Sequence, residues 1–354
     1  MFIHYYIQSI SGVSKKMRVF VTGGFGNVGM SAVRALLSYG HDVCIFEHPS
    51  ARTRRQKRLR ELLRDARGRL NVFYGDITDK GAVSEAIACA GNGGPDAVIH
   101  LAGIIPPLAD REPKLADHIN VGGTKALLDV CRALPHSPRI IFASSVALYG
   151  DRLANPWISI QDPVAPNDTY SVTKNECEML LRASGLEWVI LRLSYVVSSD
   201  WLPFSPQLYD VPPSTRLEVV HTEDAGRAFA KACDSPQAAG RVFNVGGGPS
   251  CRTTYRAYLD RLMRYFGLGS SSFLPDELFA KGNFHCGWFT DSNETESILL
   301  FRSKTLEDYY SEVSWRTRAL RPLGSIAAWA VKPWIRSLSP YQVGVGRVRS
   351  PQLV

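Results

Sequence analysis

The chain of 354 residues has 45% hydrophobic and 21% charged residues, a composition typical of a globular protein and not of a disordered or fibrous one. Its formal charge of +8 raises the alternative of a nucleic-acid-binding protein, but no recognised nucleic-acid-binding motif accompanies the basic residues. The seven cysteines are odd in number, scattered and without a Cys-x-x-Cys pair, so we expect buried thiols in a reducing compartment, no disulfide framework and no metal.

Residues 1–16 are predicted to be an N-terminal extension outside the fold. The stretch has no basic region before its apolar residues, and His4, Gln8 and Ser9 interrupt the apolar run. It therefore fits neither a signal peptide nor a membrane span. Since Met17 directly precedes the first predicted strand, translation from Met17 is the alternative.

The first predicted strand, Val19 to Thr22, breaks into a glycine-rich turn that leads into a helical pattern. Gly23 is expected to allow the turn, Gly26 to let a pyrophosphate approach the backbone, and Gly29 to let the helix pack closely. The free N–H groups at this helix N-terminus and the helix dipole favour an anion. The predicted contacts to a dinucleotide in this segment are Gly23, Gly26, Asn27, Val28 and Gly29.

A second buried strand, Val43 to Phe46, ends at Glu47, about 20 residues past the glycines, where dinucleotide folds bind the adenosine ribose hydroxyls. The carboxylate repels a 2′-phosphate, so Glu47 predicts NAD. NADP stays possible, because Arg52 and Arg54 follow shortly afterwards and arginines can bind a 2′-phosphate. The alternative for these arginines is a solvated helix face.

The next elements bring polar residues to the same sheet edge. A third strand, Leu70 to Tyr74, precedes Asp76, and a fourth, Ala97 to Leu101, contains His100, for which we expect a structural, hydrogen-bonded role. The segment from Ile104 to Glu112 contains two prolines and is predicted to be a non-helical loop.

A helix is then predicted from Lys114 to Leu134, with an interior asparagine, Asn120, that we expect to form hydrogen bonds. A sixth strand, Trp188 to Leu193, completes a doubly wound parallel sheet in the order 3-2-1-4-5-6. The sequence therefore predicts an α/β fold of the Rossmann type.

Candidate catalytic residues follow the fifth strand, Ile140 to Ala143. Ser145 lies at its carboxyl end, where open α/β sheets bind ligands. Tyr170 and Lys174 are four residues apart on a predicted helix and share one face. The lysine ammonium, with the positive charge of an oxidised nicotinamide, is expected to lower the tyrosine pKa from about 10 toward neutrality. Tyr170 is then an acid/base, and Ser145 holds the substrate oxygen against it.

These motifs, taken in order, resemble the extended branch of the short-chain dehydrogenase/reductase superfamily, the NAD-dependent epimerase/dehydratase family. The resemblance covers most of Met17 to about Thr254. The residues that carry it are Thr22-Gly23-x-x-Gly26-x-x-Gly29, Glu47, Asp76, His100-x-Ala102-Gly103, Ser145 and Tyr170-x-x-x-Lys174.

The resemblance implies roles that the residues alone do not give. Lys174 would also grip the nicotinamide ribose, and Asp76 would contact the adenine while Ile77 packs on its ring. The further cofactor-lining residues that it implies are Leu101, Ala102, Gly103 and Asn120. It also implies a smaller C-terminal substrate-binding domain and a homodimer formed through the long helices after strands four and five.

The resemblance also implies an enzyme, an NAD(P)-dependent dehydrogenase/reductase or epimerase that acts on a small-molecule alcohol or ketone. Relatives that dehydrate nucleotide sugars carry an Asp-Glu pair where this chain has Val146 and Ala147, so dehydration is not expected. Many sugar-nucleotide members have an asparagine where Tyr195 stands. The alternatives are a nucleotide-sugar 4-epimerase and a non-catalytic dinucleotide-binding scaffold or redox sensor.

The chain is predicted to divide into a cofactor-binding domain at residues 17–194, a substrate-binding part at 195–320 that is intercalated with the sheet, and a C-terminal tail at 321–354. A terminal helix is predicted from Leu306 to Trp315. The amphipathic stretch Leu323 to Ile335 is expected to pack on the core, with a membrane surface or a partner subunit as alternatives. Val343 to Val354 are expected to be a flexible basic tail. No nucleic acid and no transmembrane segment are expected, and the predicted compartment is the cytoplasm.

Overall fold

The computed structural model describes residues 16–89, 91, 93–198, 204–282 and 284–341, and it does not describe the side chains of residues 53–56 and 89. The predicted N-terminal extension, apart from its last residue, and the tail predicted for Val343 to Val354 therefore lie outside the described residues.

Strands and helices alternate along the first half of the chain, in agreement with the hydrophobic pattern. The strands are β1 (Arg18–Thr22), β2 (Asp42–Glu47), β3 (Leu70–Tyr74), β4 (Ala97–His100), β5 (Arg139–Ser145), β6 (Trp157–Ile158), β7 (Trp188–Leu193), β8 (Tyr195–Val197), β9 (Arg216–His221), β10 (Arg241–Val245), β11 (Arg252–Thr254) and β12 (Trp288–Phe289). The helices are α1 (Asn27–Ser38), α2 (Arg55–Leu63), α3 (Lys80–Cys89), α4 (Leu108–Arg111), α5 (Pro113–Asp117), α6 (Gly123–Arg132), α7 (Thr169–Arg182), α8 (Thr222–Ala232), α9 (Tyr255–Tyr265), α10 (Ser292–Leu299), α11 (Leu306–Thr317), α12 (Arg321–Ile326) and α13 (Ala328–Ser337).

Seven of the described strands form one parallel sheet in the order β3-β2-β1-β4-β5-β7-β10. The first six reproduce the predicted order, and the Rossmann-type fold is confirmed. β10 adds a seventh strand beside β7, where Val245 pairs with Leu193. The strand order reverses between β1 and β4, and such a switch point opens a ligand crevice at the carboxyl ends of the strands.

Helices cover both faces of this sheet. Val19 and Val21 of β1 pack with α1 and α8, whereas Phe20, which points the opposite way, packs with α3, α6 and α7. A separate apolar cluster in the C-terminal part joins residues of α9, α11 and α13, among them Tyr255 and Ile335. The division of the chain at residues 194 and 320 remains a proposal.

Small sheets lie outside the large one. β8 pairs with β9 in parallel, β9 pairs with β11 in antiparallel, and β6 pairs with β12 in parallel. The side chains of six cysteines are described, and all six are buried thiols, as predicted for small apolar residues. They are Cys44, Cys131, Cys177, Cys233, Cys251 and Cys286.

Some predicted element boundaries were wrong. The segment Ile104 to Glu112 is not entirely a loop, because α4 forms there after Pro107, at its N-cap, where a missing N–H costs no helical hydrogen bond. The helix predicted from Lys114 begins at Pro113 and is π-helical from His118 to Gly122. The helix predicted to be terminal, α11, is followed by α12 and α13.

Candidate active site

The glycine-rich turn between β1 and α1 has the geometry that its sequence predicts. Gly23 has φ +70°, a conformation that favours glycine, and its N–H donates to the Phe46 carbonyl at 3.0 Å. A Cβ on Gly29 would lie 2.2 Å from the Gly23 carbonyl oxygen, so only glycine lets α1 start this close to the turn. Gly26, the N-cap of α1, and Asn27 are exposed, and no side chain caps the helix. The turn and the helix start form a cradle suited to an anion.

Glu47 ends β2 with its carboxylate beside this cradle. Its Oε2 accepts a hydrogen bond from the N–H of Phe25, a residue of the turn, at 2.9 Å, and Oε1 accepts from the N–H of His48 at 3.2 Å. Val28, another predicted contact, is half-buried and packs on the apolar core. The Glu47 carboxylate therefore lies at the carboxyl end of β2, directly beside the cradle.

The basic segment after β2 does not form a uniformly positive surface. The Arg52 guanidinium lies 5.0 Å from the centre of the Tyr74 ring, and the side chain of Arg54 lies outside the described residues. A groove of about 1340 Å³ runs along α1, α2 and α11 and mixes both signs of charge. Its charged residues are Arg34, Lys57, Arg58, Glu61, Arg64, Glu223, Glu312 and Arg316.

Asp76 and Ile77 follow β3. Asp76 Oδ1 accepts hydrogen bonds from the N–H and the hydroxyl of Thr78 at 2.9 and 2.8 Å, and these bonds lower the pKa of Asp76. Ile77 is buried, and a Cβ on Gly123 of α6 would lie 2.7 Å from its Cγ2. Asp79 caps α3 by accepting from the N–H groups of its first turn.

Hydrogen bonds fix the turn after β4. Thr22 Oγ1 accepts from the N–H groups of Leu101 and Ala102 at 3.2 and 3.1 Å, so its own proton points to His100 Nδ1, 2.7 Å away. We therefore assign the ring proton to Nε2, which donates to Thr124 Oγ1 at 3.0 Å. Burial, and secondarily the charge of Lys174, lowers the pKa of His100 to about 3. The structural role predicted for His100 is confirmed.

Asn120 lies in the π-helical segment between α5 and α6, a geometry that is frequent at functional sites. Its Oδ1 accepts from the N–H of Ile104 at 2.7 Å, and its Nδ2 donates to the Ile104 carbonyl and to Thr173 Oγ1, both at 3.0 Å. A Cβ on Gly103 would lie 2.9 Å from Asn120 Oδ1. Asn120 thus ties the loop after β4 to α7, and the hydrogen bonding predicted for it is confirmed.

The start of α7 is fixed by a capping box. Asp168 Oδ1 accepts from the N–H of Ser171 at 2.6 Å, and Ser171 Oγ accepts from the N–H of Asp168 at 3.2 Å. This cap places Tyr170 in the first turn of α7 and Lys174 one turn later.

The structure brings the three predicted catalytic residues together. Ser145 and Tyr170 share a side-chain hydrogen bond, and Ser145 Oγ also accepts from the N–H of Ala147 at 3.1 Å. Lys174 Nζ lies 5.7 Å from the centre of the Tyr170 ring and donates to the Ala143 carbonyl at 2.9 Å. The group lies at the carboxyl end of β5, close to the loop after β4.

The protein surroundings shift the Tyr170 pKa in the direction opposite to the one predicted. Burial raises the pKa of Tyr170 to about 12, the hydrogen bond with Ser145 lowers it, and the charge of Asp168 raises it. Burial also lowers the pKa of Lys174, whose ammonium is directed to the Ala143 carbonyl. Among the chain's own groups, burial of the phenol therefore outweighs the effect expected of Lys174. The shift toward neutrality, which also needs the charge of the oxidised nicotinamide, stays a prediction.

A buried ion pair behind Ser145 was missed in the sequence. Glu178 is one turn after Lys174 on α7, and Arg192 of β7 binds it through two hydrogen bonds of 2.9 and 2.8 Å. The Glu178 side chain is 2% exposed and that of Arg192 is 5% exposed. Ser144, the neighbour of Ser145, donates to Glu178 Oε1 at 2.6 Å. An arginine inside the apolar run of β7 was the available signal, since a buried charge needs a partner.

The ion pair continues into a longer network. Arg192 Nη1 donates to the Tyr149 hydroxyl at 2.9 Å, that hydroxyl donates to Asn244 Oδ1 at 2.8 Å, and Asn244 Nδ2 donates to Asp291 at 3.0 Å. α7 is thereby linked to β5, β7 and β10. These links fix the position of α7, which carries Tyr170, relative to β5, which carries Ser145.

Two positions differ from those of relatives that act on nucleotide sugars. Val146 and Ala147 stand where an Asp-Glu pair would support dehydration, and both are buried. Tyr195 packs with its ring centre 6.1 Å from that of Tyr258, and burial raises its pKa.

Within the described ranges, no group of three or more His, Cys, Asp or Glu residues is placed to hold a metal ion. None of the described helices is both long and apolar enough to cross a membrane.

Comparison with known proteins gives a consistent family. Residues 19–211 match the model of the NAD-dependent epimerase/dehydratase family. The chain is 36% identical over 172 residues to D-erythronate dehydrogenase of Cupriavidus necator, an alignment that covers 47% of this chain and 49% of that protein. It is 32% identical over 183 residues to UDP-glucose 4-epimerase 2 of Oryza sativa subsp. japonica, which covers 50% of this chain and 43% of that protein.

The fold extends beyond these alignments. The structure of UDP-glucose-4-epimerase from Stenotrophomonas maltophila, with bound NAD and formylated UDP-arabinopyranose, superimposes with a TM-score of 0.71 at 20% identity. That similarity covers 87% of this chain and 99% of that chain. In sequence, by contrast, the chain spans about half the length of the two curated relatives.

Proposed function

The chain belongs to the NAD-dependent epimerase/dehydratase family, and from this premise we propose that it is an NAD-dependent oxidoreductase or epimerase that moves a hydride at a secondary alcohol or ketone carbon. The observation that carries the proposal is the grouping of Ser145, Tyr170 and Lys174 at the carboxyl edge of the sheet. A non-catalytic scaffold has no need of this group, so the enzyme is favoured over the scaffold or redox sensor.

NAD suits the residues at the switch point. Glycine at positions 23 and 29 lets the turn pack closely, since a Cβ would lie 2.9 Å from Ala102 N or 2.2 Å from the Gly23 oxygen. Gly26 and Asn27 are exposed and no side chain caps α1, so the N–H groups at this helix start are open to a pyrophosphate. The Glu47 carboxylate beside it favours NAD, since it would bind ribose hydroxyls and repel a 2′-phosphate. When bound, NAD supplies hydride transfer to and from a carbon atom.

The chain's own residues handle the proton and the substrate oxygen. The Tyr170 hydroxyl gives its proton to a carbonyl oxygen during reduction and takes it back during oxidation. Ser145 binds the same oxygen and holds it against Tyr170. Lys174, whose ammonium donates to the Ala143 carbonyl, ties α7 to β5 and is the residue that would hold the nicotinamide ribose.

The charges near Tyr170 bear on the substrate class. Burial raises the pKa of Asp110, and the charges of Asp168 and Asp210 raise it further. The charge of Asp168 also raises the pKa of Tyr170, and a carboxylate this close to the tyrosine favours a substrate that is uncharged at its reacting end. A small neutral alcohol or ketone satisfies this condition.

A nucleotide-sugar 4-epimerase is the second candidate, and it satisfies the same condition, because its sugar is neutral and its diphosphate lies away from the reacting carbon. The relatives that carry the name UDP-glucose 4-epimerase favour it. Tyr195, in place of the asparagine of many sugar-nucleotide members, disfavours it.

We also propose that the protein is a homodimer and is located in the cytoplasm. The exposed apolar residues Val172 and Met179 lie seven apart on α7, and Leu115 of the neighbouring α5 is exposed as well. A second copy would cover this face through the helices after β4 and β5. The six described cysteines are buried thiols, which supports a reducing compartment.

The experiment that tests the activity is a screen of the purified full chain. NAD or NADP is added with a panel of simple secondary alcohols, sugar acids, steroids and UDP-sugars, and absorbance is followed at the reduced-nicotinamide band. Net reduction of the cofactor establishes a dehydrogenase and its substrate class, and an inverted sugar without net reduction establishes an epimerase. Unchanged substrates throughout, with NAD bound, would contradict the proposed activity in favour of a scaffold.

A further inference from the structure

The C-terminal helices α12 and α13 are anchored on one side. Ile335 of α13 is fully buried, and its carbonyl accepts a hydrogen bond from the Tyr209 hydroxyl. A Cβ on Gly324 of α12 would lie 1.8 Å from the Phe266 carbonyl oxygen, so α12 lies directly on the end of α9. Ser339 Oγ donates to the Leu278 carbonyl at 2.6 Å. These contacts fix which side of the two helices points outward.

The outward side is apolar. Trp329 is 81% exposed and Ile326 is 75% exposed, the two highest values among the large apolar side chains that the structure describes. Three more apolar residues at or just before these helices are more than half exposed. We call these five residues the C-terminal apolar face: Leu320, Leu323, Ile326, Trp329 and Trp334. Apolar exposure on this scale marks an interaction surface.

The sequence of the segment that carries this face has charges of one sign. From Arg316 to Tyr341 the sequence contains five basic residues and no Asp or Glu, and the basic residues are Arg316, Arg318, Arg321, Lys332 and Arg336. The remaining residues to Val354 add two arginines and again no acid. Two carboxylates of the preceding α11 are paired elsewhere, Glu307 with Arg261 and Glu312 with Lys304. An occupant of this face must therefore be apolar at its centre and anionic around it.

We propose that the C-terminal apolar face docks the protein on an anionic lipid surface. Short amphipathic helices with tryptophan on one side and arginine or lysine beside it lie in the plane of a membrane interface, with the apolar side chains at the acyl boundary. Trp329 and Ile326 enter this boundary, while Arg318, Arg321 and Arg336 meet the headgroups. The anchoring contacts hold α12 and α13 in place, so no refolding is needed for docking.

The test is co-sedimentation of the full chain with lipid vesicles. Wild-type protein is expected to sediment with vesicles of phosphatidylcholine and phosphatidylglycerol, to stay in solution with phosphatidylcholine alone, and to be released by salt. The double variant Ile326→Ser/Trp329→Ser is expected to bind the anionic vesicles about tenfold more weakly or worse. Arg318→Gln/Arg336→Gln should weaken binding by about fivefold for each charge removed.

A matched control uses another exposed pair, Tyr39→Ser/Leu63→Ser at the ends of α1 and α2, whose binding should equal that of wild type. Thermal unfolding and NAD binding of each variant verify the fold. Wild-type protein that ignores anionic vesicles overturns the proposal. So does an Ile326→Ser/Trp329→Ser variant that folds and binds them as tightly as wild type. A face that mediates only self-association, detected by sedimentation velocity without vesicle binding, overturns it in favour of a second copy.

Discussion

The most informative single residue is Tyr170, whose pKa the surroundings raise to about 12. The phenol is therefore protonated at neutral pH and ready to donate to a carbonyl oxygen. Alcohol oxidation needs the phenolate, and raising the pH increases its fraction up to that pKa. We therefore expect alcohol oxidation to accelerate toward alkaline pH. Carbonyl reduction should be fastest at pH values below the Tyr170 pKa.

Substitution of Ser145 tests its hydrogen bond to Tyr170. This bond lowers the Tyr170 pKa, so Ser145→Ala should raise it and move the rising limb of the oxidation pH profile to higher pH. The rate should also fall about 10²-fold, because the substrate oxygen loses a donor. Ser145→Thr keeps a hydroxyl and should retain the wild-type profile. An Ala variant with an unshifted profile would remove Ser145 from the mechanism.

We propose that Glu47 sets the preference for NAD over NADP. Glu47→Ala removes the carboxylate that would bind the ribose hydroxyls and repel a 2′-phosphate, so the preference for NAD over NADP should fall about tenfold or more. Calorimetric titration with both cofactors measures it. Glu85→Ala, an exposed acid on α3, is the matched control. A preference that survives in the Glu47 variant rules out this assignment.

At the scale of elements, α7 connects the catalytic residues to the sheet. Tyr170, Lys174 and Glu178 succeed one another at intervals of four, so one helix face carries the phenol, the ammonium and the carboxylate that binds Arg192. Arg182, one turn further, reaches the same carboxylate from the surface at 3.0 Å. Glu178 is thus paired with a buried arginine, Arg192, and with an exposed one, Arg182.

The two partners predict different losses of stability. Glu178→Gln leaves the buried Arg192 charge without its counter-charge and should lower the free energy of unfolding by about 3 to 5 kcal/mol. Arg182 is 43% exposed, so Arg182→Gln should cost less than about 1 kcal/mol. Urea unfolding of both variants measures the difference. Equal losses would show that the buried pair does not hold α7 on the sheet.

The elements also show how far sequence patterns extend. β3 was predicted with its observed bounds because its apolar residues are a local signal. The helix of Tyr170 and Lys174 was also predicted, but its Asp168 cap was found only in the structure. Part of the segment Ile104 to Glu112 is helical because Pro107 stands at the N-cap of α4, where its missing N–H costs no helical hydrogen bond. The Glu178 and Arg192 pair escaped prediction because it joins residues whose proximity only the folded sheet creates.

At the scale of the whole molecule, the order of motifs along the chain was sufficient to predict the parallel sheet and its switch point. The glycine turn, Glu47, the turn after β4 and Ser145 all follow strand ends, and parallel strands bring their carboxyl ends to one edge. The C-terminal arrangement was less predictable, because α12 and α13 depend on contacts such as that of Gly324 with Phe266. Such contacts leave no periodic signal.

Self-association involves the whole molecule, and we predict that it depends on the exposed side of α7. Val172→Asp/Met179→Asp places charges on the exposed side of α7 and should convert the proposed dimer to a monomer in sedimentation velocity. Leu63→Asp, an exposed apolar position on α2, should leave the dimer intact. A monomeric wild-type chain, or a dimer that both variants retain, contradicts this interface.

The most direct test of the account is the turnover of Tyr170→Phe on the substrate class that the screen identifies. Reduced-nicotinamide absorbance, or product inversion for an epimerase, gives the rate, and Tyr39→Phe, a surface tyrosine at the end of α1, is the matched control. We expect the kcat of Tyr170→Phe to fall about 10²- to 10⁴-fold, while its NAD affinity and stability stay those of wild type. Wild-type turnover in Tyr170→Phe would contradict the assignment of Tyr170 as the acid/base.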